Sequence, residues 1–251
     1  GFGDYELTEV SKDTDGAIAV IRADGSTGYY LIDVKSSVHG YNSTQGGAFV
    51  STNYTTKLDV SDSVFANNTN TQNGGVFNLV GTNSFLNNTV FVSNTSSAEG
   101  GAVYIGGTLS TISDSIFAAN TINGVGGAVS TTGTDVVISN TVFSNNSAQT
   151  RYNYVRGGAI YSSSKNLSIF DSTFSNNAVV AGSKNYDADG GAIYTTSDTI
   201  IKNSYFSNNS ATIPLQNSRG GAITFYTNNT NTSLVENRAD KRHAECAGVS
   251  D

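Results

Sequence analysis

Cysteine occurs once, at Cys246, proline once, and methionine and tryptophan not at all. A single thiol excludes an internal disulfide framework and any multi-cysteine metal site, so burial and hydrogen bonds must hold the fold. Charge is scarce as well: 13% of residues are Asp, Glu, Lys or Arg, the net charge is −7 and the pI is near 4.7. No basic stripe exists to displace counterions from phosphates, which argues against nucleic acid and against anionic membranes as partners. The longest basic cluster, Lys241-Arg242-His243, sits among acids and reads as a solvated face. Strong helix formers such as Leu, Glu and Lys are sparse, which disfavours a helical protein. There is no apolar run of transmembrane length, so direct membrane insertion by this segment is not expected. The chain opens at Gly1 without Met, as expected of a mature region or an excised piece.

Asn, Ser, Thr and Gly fill the space between short apolar runs. Such polarity alone would suit a disordered chain, but 37% of residues are apolar, and 12 Phe and 13 Tyr are spread through the sequence. Their placement is periodic. Gly-Gly-apolar recurs at Gly46-Gly47-Ala48, Gly74-Gly75-Val76, Gly100-Gly101-Ala102, Gly126-Gly127-Ala128, Gly157-Gly158-Ala159, Gly190-Gly191-Ala192 and Gly220-Gly221-Ala222, with spacings of 28, 26, 26, 31, 33 and 30. Phe-x-x-Asn follows the first six as Phe65/Asn68, Phe91/Asn94, Phe117/Asn120, Phe143/Asn146, Phe174/Asn177 and Phe206/Asn209, and Leu234/Asn237 reads as a seventh. A worn earlier copy is expected at Val34–Asn42, with His39 in the Phe slot and Asp15-Gly16-Ala17-Ile18 as its Gly-Gly-Ala.

Segments alternating at strand period inside a repeat of about 26 residues exclude helical-hairpin solenoids, and the scarcity of Leu excludes leucine-rich repeats. The fold class is therefore all-β: a right-handed single-stranded parallel β-helix of about 7–8 coils of 26–33 residues, each pairing with the next at about 4.8 Å. Residues 1–33 are expected to form an N-terminal cap or degenerate first coil, 34–239 the repeats, and 240–251 a charged tail or cap. Each Phe should point inward onto the Phe below it. Each Asn should turn in at a corner and bond backbone groups that the bend leaves unpaired. Gly-Gly supplies backbone freedom at another corner.

Gly157-Gly158-Ala159-Ile160 with Phe174-Ser175-Asn176-Asn177, repeated as Gly190-Gly191-Ala192-Ile193 with Phe206-Ser207-Asn208-Asn209, resembles the repeats of polymorphic outer-membrane proteins and adhesin-like surface proteins. The resemblance covers about residues 34 to 239. It implies secretion, display at a cell surface, and adhesion or a structural role without catalysis. It brings no catalytic residues to carry over.

The residues themselves point the same way. Asp13-Thr14-Asp15-Gly16 looks like a fragment of the polygalacturonase motif, but no Asp-Asp, His-Gly or Arg-x-Lys follows to complete it. Asp62, Asp114 and Asp171 share one repeat slot with Asn88, Asn140 and Asn203, and the alternation reads as an outward polar ladder rather than a calcium site. His39 and His243 are isolated, so neither a metal nor any other cofactor is implied. Of ten Asn-x-Ser/Thr sequons, those at Asn67, Asn145 and Asn208 precede a ladder Asn and should face out, making them candidate glycosylation sites, whereas Asn94 should be buried.

The interval from Phe to the next Gly-Gly is 9 in three coils, then 14, 16 and 14. All the added length enters at one corner, so residues 148–156, 178–189 and 211–219 should form three adjacent loops on one edge. They carry Arg151, Tyr152, Tyr154, Arg156, Lys184, Tyr186, Asp187, Asp189 and Arg219. Tyr and Arg are the residues most common at binding hot spots, and exposed Tyr suits sugar rings. Expected partners are a protein or glycan on another surface, or further copies of the chain. A structural subunit of an extracellular filament or coat, or a carbohydrate-active enzyme with a shallow groove, is the alternative reading.

Overall fold

The computed structural model describes residues 58–239 apart from 151–152, 184–186, 197, 214–218 and 227–231, together with the backbone of short strands between residues 19 and 51. Apart from one antiparallel pair, Ala19–Ile21 with Thr27–Tyr29, the strands pair in parallel and no helix occurs among the described residues. Four long sheets make the walls of a parallel β-solenoid. One coil shows the order: Asp59–Ser61 lies in sheet 1, Val64–Ala66 in sheet 2, Thr69–Asn70 in sheet 3 and Phe77–Leu79 in sheet 4. Among the described residues, sheets 1 and 2 have eight strands each, sheets 3 and 4 seven.

Strands of two to four residues are too short to be stable alone, and each gains its partners only from the coils above and below. Alternation then sorts side chains: in Val103–Ile105 the outer two residues are buried and Tyr104 between them faces out. Phe65, Phe91, Phe117, Phe143, Phe174 and Phe206 stack in one buried column with centroid separations of 4.5 to 5.4 Å. Each contact adds roughly 0.5–1.5 kcal/mol beyond burial.

The corners explain the polar repeats. Asn120 donates from Nδ2 to Phe91 O and to Asn146 Oδ1, both at 3.0 Å, while its Oδ1 accepts from the backbone N and Nδ2 of Asn94. All four bonding positions of the amide are filled. The same arrangement runs from Asn68 through Asn94, Asn120, Asn146 and Asn177 to Asn209, each at most 3% exposed. Next to this ladder the chain enters the left-handed region. Among the described residues, sixteen other than glycine have positive φ and twelve of them are Asn or Asp, the side chains that tolerate that conformation best. Asp62, Asn88, Asp114, Asn140, Asp171 and Asn203 occupy the corner between sheets 1 and 2 and are exposed, so their identity is set by backbone geometry as much as by charge. At the Gly-Gly corner, Gly100 has φ +69, and a Cβ on Gly101 would collide with the carbonyl oxygen of Gly127 in the next coil.

Two register assignments differ from the sequence reading. In the worn first coil Val38, not His39, pairs with Phe65. At the other end Leu234 pairs with Ile201 in sheet 1, and Ala239, not Leu234, pairs with Phe206. Asn237 consequently continues the Ser63, Thr89, Ser115, Thr141, Ser172 and Ser204 corner, accepting from Ser204 N at 2.9 Å. The first difference is a shift of one residue within its corner, and the second comes from a shared turn. An apolar residue, a spacer, a left-handed residue and an inward polar residue occur at both successive corners, so Leu-x-x-Asn matches either. Asp15-Gly16-Ala17-Ile18 and residues 240–251 lie outside the described residues.

Two adjacent substitutions should shift stability in opposite directions. Asn120→Ala strips partners from Phe91 O, Asn94 and Asn146 and should cost about 3 kcal/mol or more. Ala119→Asn places a tolerant side chain at φ 54 and should gain about 1 kcal/mol. Denaturant midpoints of the two variants against the parent check both signs.

Candidate binding site

The solenoid changes where the coils lengthen. Sheet 3 strands grow from two residues, as in Thr121–Ile122, to four in Ser147–Thr150 and Ala178–Ala181, and a short parallel pair, Val155–Arg156 with Ala188–Asp189, is added beside them. Ile122, Ala148, Val155, Val179, Ala181, Ala188 and Ile213 pack beneath as a second buried cluster. The three added segments are therefore not simple loops: their flanks extend a sheet and bring their own core. A surface built on paired strands is held more firmly than one on free loops.

This extension fixes the residue before each Gly-Gly. Glu99, Val125, Arg156, Asp189 and Arg219 stand in one column, each bridging the next in parallel. Arg219 donates from Nε to Asp189 Oδ1 at 3.0 Å, and from Nη2 to Asp189 Oδ2 at 3.3 Å and Asp187 Oδ2 at 2.7 Å. Asp189 is 1% exposed. Burial pushes its carboxyl above the usual range, against the hydrogen bonds and charge of Arg219. Burial also works to lower the Arg219 guanidinium, but bonding to Asp189 and the charges of Asp189 and Asp187 outweigh it and raise the group overall.

Arg156 lies on the other side of Asp189, its Nε 3.7 Å from Oδ2. That Nε is buried and has no hydrogen-bond partner among the described residues. The guanidinium is instead framed by aromatic rings, 4.7 Å from the centroid of Tyr194, 5.1 Å from Tyr154 and 5.9 Å from Tyr226. Tyr161 stacks on Tyr194 at 5.7 Å, and Tyr226 lies 6.2 Å beyond it. Tyr194 faces away from the main core yet is buried, and burial drives its hydroxyl up to about 12 against the opposing charge of Arg156.

Of the nine residues read as a patch, Tyr154, Arg156, Asp187, Asp189 and Arg219 come together here, while Arg151, Tyr152, Lys184 and Tyr186 lie outside the described residues. The sequence reading missed Tyr161, Tyr194 and Tyr226. A signal existed: Tyr follows Gly-Gly-Ala-Ile directly in two successive coils, at the outward-facing middle position of a sheet 4 strand. Elsewhere, Asn67, Asn145 and Asn208 are exposed at their corners and Asn94 is fully buried. Asn88, Asn140 and Asn203 each donate to the Asp one coil back, Asp62, Asp114 and Asp171, so that ladder is internally bonded. Among the described residues no group of three or more His, Cys, Asp or Glu side chains could hold a metal.

Four stretches of the chain, residues 84–106, 140–163, 171–196 and 203–226, match the model of the Chlamydia polymorphic membrane protein repeat. Each match ends just past a sheet 4 strand. No match was found among curated proteins or among solved structures.

Because the Tyr194 hydroxyl holds its proton to about 12 against an unfolded value of 10.0, its contribution to stability is complete below pH 10 and fades as pH rises toward 12. In an ultraviolet titration of the folded chain, Tyr194→Phe should remove one ionisation near pH 12.

Proposed function

We propose, with the polymorphic membrane protein repeat as premise, that this chain is a non-catalytic solenoid displayed at a cell surface and adhering through its lengthened edge. One observation carries the reading: a scaffold repeating at 26 residues departs from that length in consecutive coils at a single corner, and there sets Tyr154, Arg156, Asp187, Asp189 and Arg219 side by side. Outside this corner the exposed positions are largely Ser, Thr and Asn, with single apolar residues such as Phe85, Leu109, Ile116 and Tyr205 scattered among them. Tyr and Arg on a rigid frame give large contact area at little ordering cost.

The chemistry favours binding over turnover. Glycoside cleavage uses two carboxylates that can exchange protons across a bond. Here Asp189 is buried with both oxygens bonded to Arg219, and Asp187 is bonded to the same guanidinium. Neither is placed to hand a proton to a substrate.

Beads coated with the chain should attach to cultured mammalian cells. A variant whose three long intervals are shortened to the 9-residue spacing of the earlier coils should keep its cooperative melt and lose attachment. Attachment retained by the folded, shortened variant would reject the edge as the adhesive surface.

A further inference from the structure

We propose that the lengthened edge binds acidic glycans, with Arg156 taking the carboxylate or sulfate of the sugar and Tyr154 or Tyr226 taking the ring. This deepens the adhesive reading by naming the ligand class, and it rests on that reading.

The argument begins with an imbalance between two arginines in one column. Arg219 spends its guanidinium on three hydrogen bonds to Asp187 and Asp189. Both oxygens of Asp189 are thereby engaged, and Arg156 on its other side makes only a 3.7 Å ion pair with it. Its buried Nε has no hydrogen-bond partner among the described residues, although a guanidinium carries five donors. Solvent reaches about a quarter of its side chain, 24%. A partly buried arginine with unused donors is a standing demand for an oxyanion, and its planar fork fits a carboxylate or sulfate two bonds at a time.

The group is also held ready. Arg156 sits in a two-residue strand paired to Ala188–Asp189, and its guanidinium is packed against three tyrosine rings. Ordering a long side chain normally costs much of what a charged hydrogen bond returns, and here that cost is met by the fold. Two of the framing rings reach solvent: Tyr154 is 48% exposed and Tyr226 41%, while Tyr194 is 1% exposed and serves as the floor. An aromatic face beside a cation matches a sugar ring bearing an acid group, since the C–H face of the ring stacks while the acid reaches the guanidinium. A simple inorganic anion would use Arg156 and ignore the tyrosines. Neutral glycans would do the reverse.

The test is titration of the folded chain with three probes of equal length: a uronic acid oligosaccharide, a sulfated oligosaccharide and their neutral counterpart. Wild type should bind at least one acidic probe, and the comparison of the two identifies the acid group. Arg156→Gln should weaken that binding roughly tenfold or more. Tyr154→Ala, at an exposed position outside the core, should weaken it without changing the melt. Tyr205→Ala, equally exposed on sheet 2, should change nothing. Equal binding of the neutral probe, no binding of either acidic probe, or indifference to Arg156→Gln in a variant that melts like the parent would overturn the assignment. If coated beads attach to cells while no acidic probe binds, the ligand class is wrong and the adhesive reading stands. If beads fail to attach as well, both fall.

Discussion

Every feature of this molecule depends on one constraint: strands pair in parallel and in register, so each residue sits directly over its equivalent one coil away. A side chain is therefore judged mainly by whether it can repeat at the strand spacing. Phe can, because a ring stacks on a ring at 4.5 to 5.4 Å. Asn can, because an amide offers a donor upward and an acceptor downward and still reaches the backbone at the bend. Like charges cannot, which is why the exposed corner alternates Asp with Asn from coil to coil and closes every second step with a hydrogen bond.

The same constraint explains what could be read from the sequence. Columns made of one residue type announce themselves as periodicity, so the Phe and Asn ladders, their burial and the Gly-Gly corner follow from spacing alone. Columns of mixed type do not. Glu99, Val125, Arg156, Asp189 and Arg219 form a continuous ladder with no common chemistry, and only the fold reveals it. Tyr161 and Tyr194 repeat only once, too briefly to register as a pattern. Leu234 falls one corner away from the Phe column because two consecutive corners use the same turn, and a four-residue motif cannot tell them apart, whereas His39 lies one residue past the Phe slot of its own corner. The insertions were visible as length, but that they would pair into strands over a second core depended on apolar residues such as Val155 and Val179, whose partners lie in different coils.

The edge also shows how a regular scaffold acquires an irregular surface. Widening the coils at one corner leaves the Phe and Asn columns undisturbed, since Phe143, Phe174 and Phe206 stack as closely as their predecessors. The new residues pack against one another and against the outward face of sheet 4. The Phe and Asn columns and the irregular edge thus lie on different sides of the same coil, and charged or aromatic residues can change on one without reaching the other.

The amide ladder has a consequence for how such a chain changes over generations. Asn68 bonds to Asn94 in the same way that Asn146 bonds to Asn177, so at this corner one coil-to-coil interface is interchangeable with the next. A deletion that starts at any point and ends one register later rejoins Phe to Phe and Asn to Asn. A deletion of half that length exposes the core along every wall. The viable step in length is a whole coil, and unequal recombination between repeats supplies that step, so the rod can lengthen or shorten in its gene while its cross-section stays constant.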